Sequence, residues 1–172
     1  MHSIIDVLEA EHRTIESGLE ALERSLRPVP DWQLVGRLLD FIRGYADEFH
    51  HAKEEALLFP RLIERGLPAE TGPIGCMLDE HEEGRELVRT MLSAVERQDA
   101  PRLRRAGNSY VELLRTHIAK EDGILFPMAR RLLRETDERE LLQQVAQLAI
   151  RHRDAETLRA SLPEMVERAF SA

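Results

Sequence analysis

His50-His51-Ala52-Lys53-Glu54-Glu55-Ala56-Leu57-Leu58-Phe59-Pro60 is answered 67 residues later by His117-Ile118-Ala119-Lys120-Glu121-Asp122-Gly123-Ile124-Leu125-Phe126-Pro127. Both segments carry His-x-x-x-Glu, a spacing that on an α-helix sets an imidazole and a carboxylate one turn apart on one face. Glu11-His12 and Glu80-His81 repeat at an offset of 69. Each half of the chain therefore reads as a helix with one histidine followed by a helix with His-x-x-x-Glu, and the internal repeat predicts two related half-sites.

Breaker clusters at Pro28-Val29-Pro30-Asp31, Gly66 through Pro73, Gln98-Asp99-Ala100-Pro101 and Glu135-Thr136-Asp137 divide the chain. The predicted helices span about residues 3–27, 31–65, 73–98 and 101–134, with a fifth helix and a short sixth over 138–171. Short connections predict antiparallel neighbours, so the expected fold is all-α: an up-down-up-down four-helix bundle over residues 1–134, with residues 135–172 as a helical extension of the same single domain. The amphipathic extension has to cover the bundle or another copy of the chain, which leaves a homo-oligomer open.

The apolar stripes have gaps. Ile4, Leu8, Ile15, Leu19, Leu22 and Leu26 leave His12 in line. Val35, Leu39, Ile42, Ala46 and Leu57 leave His50 and Glu54; Ile74, Leu78, Val88, Leu92 and Val95 leave His81. Leu103, Ala106, Tyr110, Leu113, Ile124 and Met128 leave His117 and Glu121. Two carboxylates turned into an apolar interior need a counter-charge, because an isolated buried carboxylate costs several kcal/mol. A metal cation supplies it. Four imidazoles and two carboxylates without thiolate suit iron or manganese better than structural zinc or magnesium. If both carboxylates bridge, each ion has about four of six protein donors, leaving room for an oxo, hydroxo or water bridge and an external ligand.

Composition narrows the classes. The 172 residues are 42% hydrophobic and 33% charged, a size that fits one domain. With 24 basic against 32 acidic residues the formal charge is −8, which argues against nucleic acid as a partner. No apolar run approaches the roughly 20 residues of a membrane span, and the start lacks the pattern of a signal peptide. The single cysteine, Cys76, permits no internal disulfide, so the expected location is the cytoplasm, and Cys76 itself is expected to be a buried apolar residue.

His12, His50-x-x-x-Glu54, His81 and His117-x-x-x-Glu121, with the Leu-Phe-Pro followers, resemble the hemerythrin-like HHE cation-binding domain over roughly residues 1–134. The resemblance implies a four-helix bundle holding two non-haem iron ions, oxo- or hydroxo-bridged, with Glu54 and Glu121 bridging; it favours iron over manganese. Oxygen carriers of the family have a further histidine where Arg85 stands, use five histidines, and have aspartate where Glu121 stands. The set is closer to bacterial iron-sulfur-cluster repair proteins and to the hemerythrin domain of an iron-sensing ubiquitin-ligase subunit. The cysteine-bearing N-terminal domain of the repair proteins is not expected here.

The expected function is binding or reduction of a small oxidant, dioxygen, peroxide or nitric oxide, with an electron donor that the sequence does not name. The alternative is an iron or oxygen sensor, or a metal-binding module, without turnover. No catalytic residue is assigned. Tyr45, Tyr110 and Arg85 are candidates for a hydrogen-bonding layer behind the ligands. Glu11 and Glu80 are expected to be solvated, His2 likewise, and Gly84 to serve helix packing or to leave space for a small ligand. A ferritin-like Glu-x-x-His reading through Glu48 and His51 is set aside, because an α-helix turns His51 about 100° away from the stripe. Pro60 and Pro127 are expected to bend their helices.

Overall fold

The computed structural model describes residues 3–171, and His2 lies outside them. Helix α1 (Ile4–Ser25) begins in a capping box, in which the Asp6 N–H donates to Ser3 Oγ at 3.1 Å and the Ser3 N–H to Asp6 Oδ2 at 2.9 Å. The second rod starts at α2 (Trp32–Phe41), capped by Asp31. It continues through π-helical segments at Ile42–His51 and Glu54–Leu58 and ends as α3 (Phe59–Glu64). Gly66, at φ 104°, closes α3 with its N–H on the Ile63 carbonyl and the Leu67 N–H on that of Leu62. The third rod is α4 (Gly72–Glu96). The fourth runs through α5 (Ala100–Lys120), a π segment at Glu121–Leu125, and α6 (Phe126–Leu132). Helices α7 (Glu135–Arg151) and α8 (Arg153–Ser171) complete the chain, and no strand occurs among the described residues. Against the expectation of a short sixth helix, α8 has 19 residues and α7 has 17.

The π segments correct two stripes read at α spacing, those of the second and fourth rods. In both Leu-Phe-Pro segments the Phe N–H reaches back five residues, Phe59 to Glu54 and Phe126 to Glu121. The proline that follows has no N–H and would crowd the carbonyl four residues back, so widening that turn relieves the clash. Wider winding then shifts the inward positions. Leu58 rather than Leu57 is fully buried, and Leu125 is buried while Ile124 is 56% exposed. On α4, which is α-helical throughout, the inward stripe is Ile74, Met77, His81, Gly84, Val88, Met91 and Ala94, and Leu78 faces outward. Neighbouring apolar residues there made the register ambiguous, and burial chose the flexible methionines.

Apolar packing forms two clusters. One gathers Ile15, Leu19, Leu22, Leu38, Tyr45, Val88, Met91 and Tyr110, and α8 adds Ala155, Leu162, Met165 and Ala169. The other gathers Ile4, Leu8, Leu58, Phe59, Ile74, Met77, Leu125 and Phe126, with Leu141 from α7. Between them lies the level of His12, His50, His81 and His117. Gly44 lets α8 approach the first π segment, since a Cβ there would collide with Leu158.

Helix α7 is tied to α3 by a buried carboxylate. Asp137 accepts from Arg61 at 2.6 Å, from Arg65 at 2.5 and 2.8 Å, and from the Arg134 N–H at 2.9 Å. Arg65, then the Arg134 N–H and Arg61, hold its carboxyl far below the usual value of 3.8. A depressed carboxyl pKa stabilises the fold above the ordinary value and loses that contribution as acid titrates the folded group. Asp137→Asn is therefore expected to lower the thermal midpoint near neutral pH, with the difference from the unaltered protein narrowing below about pH 3.8, followed by circular dichroism. A constant difference down to pH 2 would contradict this role.

Candidate metal centre

Seven side chains meet at the level between the two clusters. His12 comes from α1, His50 and His51 from the first π segment, Glu54 from the second, His81 from α4, His117 from α5 and Glu121 from the third π segment. None is more than 5% exposed. Glu54 lies between His50, whose Nε2 is 3.4 Å from Oε1, and His81, whose Nε2 is 3.4 Å from Oε2. Glu121 Oε2 lies 3.2 Å from His12 Nε2 and 3.3 Å from His117 Nε2. Each glutamate thus reaches one imidazole of its own rod and one from the other half of the repeat.

Behind every one of the four repeated histidines stands a carboxylate. Nδ1 of His12 is 2.7 Å from Asp122, of His50 2.9 Å from Glu11, of His81 2.7 Å from Glu55 and of His117 3.0 Å from Glu80. An ionised carboxylate only accepts, so Nδ1 carries the proton and Nε2 presents a lone pair to the centre. Each carboxylate is backed in turn by a cation: Arg13 on Asp122, Lys53 on Glu11, Arg85 on Glu55 at 2.6 Å and Lys120 on Glu80. Lys53 is fully buried, its ammonium 3.2 Å from the centre of the Phe49 ring.

These contacts correct the expectation that Glu11 and Glu80 are solvated. The repeat held the missing signal: an acid precedes His12 and His81, and Lys-Glu-acid occupies 53–55 and 120–122. His51 is a second correction. The π winding through 42–51 turns it inward, where it stacks on His81 with ring centres 3.9 Å apart. Cys76 is exposed rather than buried, its Sγ 3.5 Å from Glu80 Oε1. Tyr45 packs on Phe41 and Phe49 at ring distances of 5.2 and 5.6 Å, and burial, followed by Glu11, pushes its hydroxyl up to about 12. Tyr110 lines a cavity of about 180 Å³ that reaches His51 and His81. Arg85 bonds Asp47 at 2.9 Å as well as Glu55.

Nε2 of His12 and His50, Nδ1 of His51 and all four oxygens of Glu54 and Glu121 are buried without a hydrogen-bond partner. Such a set is costly unless a cation collects it. Electrostatics make the same point. Burial opposes charge on His50, yet Glu54 and Glu11 outweigh it and push the ring up to about 10; Glu54 and Glu55 likewise take His81 to about 9. Glu54 stays well below the ordinary carboxylate range despite burial, through His50 and His81. Burial and then His81 push His51 the other way, down to about 3. The centre attracts positive charge, and a metal ion meets that demand without disturbing the Nδ1–carboxylate pairs. Two groups of donors lie within 4.8 Å: His12, His50, Glu54 and Glu121; and His51, Glu54, His81 and His117. Glu54 belongs to both.

The profile of the family described as the hemerythrin HHE cation binding domain matches residues 3–129. The chain belongs to this family, whose membership implies non-haem iron binding, and the two His/Glu groups are where a metal fits. Among curated proteins it is similar to the iron-sulfur cluster repair protein YtfE of Salmonella paratyphi B, Salmonella newport and Salmonella heidelberg. Each is 34% identical over 89 residues, covering 46% of this chain and 40% of the relative. The matched stretch is thus less than half the length of these relatives. No solved structure matches the chain.

Glu55→Gln and Asp122→Asn remove the charge that fixes His81 and His12. Each is expected to weaken metal retention by about 10–100-fold while helical content is kept, measured by competition with a chelator. Unchanged resistance to the chelator would show that these carboxylates do not tune the ligands.

Proposed function

We propose that the chain is a cytoplasmic non-haem di-iron protein that binds or reduces a small oxidant, with dioxygen, peroxide and nitric oxide as the candidate class. The observation that carries this reading is the pair of buried carboxylates, each facing imidazoles from both halves of the repeat. His12 and His50 would hold one ion and His81 and His117 the other, with Glu54 and Glu121 shared between them; His51 offers the second ion a further nitrogen. The rods carrying these residues are proposed to run as an antiparallel four-helix bundle over residues 1–134, with 135–172 as its extension. Iron held by nitrogen and carboxylate ligands supplies one-electron redox chemistry and exchangeable positions.

The chain's own residues do the rest. Glu11, Glu55, Glu80 and Asp122 hold the four rings in the tautomer that points Nε2 at the metal, and the histidines and cations beside Glu11, Glu55 and Glu80 hold those three carboxyls below their ordinary value. The two apolar clusters above and below limit water at the centre. The relatives' name assigns cluster repair to those proteins; for this chain the residues speak to the metal centre. An iron sensor is the second reading, favoured by the unpartnered Glu54 and Glu121 oxygens: where metal satisfies buried charge, its binding energy becomes folding energy.

Metal analysis and an absorption spectrum of protein from iron-supplemented cells test the proposal. About two irons per chain are expected, from two sets of nitrogen and oxygen donors. Glu54→Ala and Glu121→Ala are each expected to lose at least one ion and to unfold at lower temperature. Full metal content in either variant would remove that glutamate from its bridging role. Steady consumption of peroxide or nitric oxide supports turnover, whereas a fold that collapses on iron removal without consumption supports sensing.

A further inference from the structure

The two halves of the repeat are unequal beside the metal level. At the offset of 69, Ile15 of α1 corresponds to Gly84 of α4, and at the offset of 67, Ile118 corresponds to His51. Ile15 and Ile118 are both buried side chains. Where Gly84 and His51 stand instead, the α4 side chain is missing, and a cavity of about 180 Å³ opens between His51, His81, Gly84, Val88, Tyr110 and Leu114. A cavity of about 150 Å³ already admits benzene, so this one exceeds the needs of a diatomic molecule.

Its charges are already matched. Arg85 is held by Asp47 and Glu55, Arg89 by Glu82 and Glu86, and Arg43 by Asp40. Glu80 is held by His117 and Lys120, and Glu48 at the mouth is exposed, which disfavours an anion. His51 Nδ1 belongs to the buried set that a cation would collect, and the surface left to an occupant of the cavity is chiefly apolar. We propose that this cavity is a binding site for an uncharged organic molecule the size of one six-membered ring, its apolar body against Val88, Tyr110 and Leu114. The site goes beyond the metal-centre reading and rests on Gly84, not on which metal is bound.

Phenol is the probe. A crystal of the unaltered protein soaked in phenol is expected to show the ring in the cavity, and phenol is expected to raise the thermal midpoint with concentration. Gly84→Ala adds a Cβ only 3.6 Å from Tyr110 Cε2 and 4.0 Å from Leu113 Cδ2, ordinary contacts, so this variant folds and keeps some binding. Gly84→Ile gives α4 the side chain that α1 carries at the matching position, Ile15, and is expected to lose the phenol-dependent shift. A shift that persists in a folded Gly84→Ile protein overturns the assignment, as does a cavity that takes xenon under pressure but excludes phenol. The crystal soak decides the matter even if Gly84→Ile fails to fold. Metal content measured on the same sample separates the two readings: iron present without phenol binding sinks only this site, and phenol binding without iron sinks only the di-iron proposal.

Discussion

Two carboxylates buried without a hydrogen bond to either oxygen, Glu54 and Glu121, impose the constraint from which the rest of the structure follows. Removing such a group from water costs several kcal/mol, so everything around it is arranged to return positive charge. Imidazoles surround the pair; carboxylates stand behind the imidazoles; Arg13, Lys53, Arg85 and Lys120 stand behind those carboxylates. Charge alternates outward in shells, and each shell fixes the orientation of the one inside it. Lys53 shows how firmly the order is kept, because a fully buried ammonium is tolerated to hold Glu11 in place.

The arrangement is economical in sequence because neighbours along the chain serve different ligands. Glu11 precedes His12 yet holds His50, and Glu55 follows Glu54 yet holds His81. The same exchange in the second half has Glu80 holding His117 and Asp122 holding His12. No rod completes its own site, so the repeat halves are interlocked through the charge shells as well as through packing. That linkage explains why one level of polar residues can interrupt the core without separating the rods.

The repeat, the gaps in the apolar stripes and the breaker clusters were enough to read the helical class and the level at which His12, His50, Glu54, His81, His117 and Glu121 meet. Part of what escaped on the second and fourth rods has its cause in winding. Stripe reading assumes 3.6 residues per turn, and a π segment of about 4.4 residues per turn displaces everything beyond it. His51, which α spacing turns away, is inside; Ile124, which it turns in, is outside. The proline at the end of each Leu-Phe-Pro triplet is the local cause of the widened turn, so Pro60 and Pro127 signal winding more directly than bending. Glu11 and Glu80 escaped for a different reason. Their role depends on side chains of distant rods, and only their parallel placement in the repeat hinted at it.

A core divided by a polar level has a second requirement, since neither apolar cluster can exclude water from the level unaided. The C-terminal helices meet it from both sides. Leu141 of α7 joins the cluster of Leu8, Leu58 and Phe126, while Ala155, Leu162, Met165 and Ala169 of α8 join that of Leu19, Leu38 and Tyr45. The break between α7 and α8 at His152 falls near Phe49, whose ring covers the Lys53 ammonium. The extension therefore packs on the clusters either side of the polar level, and through His152 it reaches the Phe49 ring that covers the Lys53 ammonium.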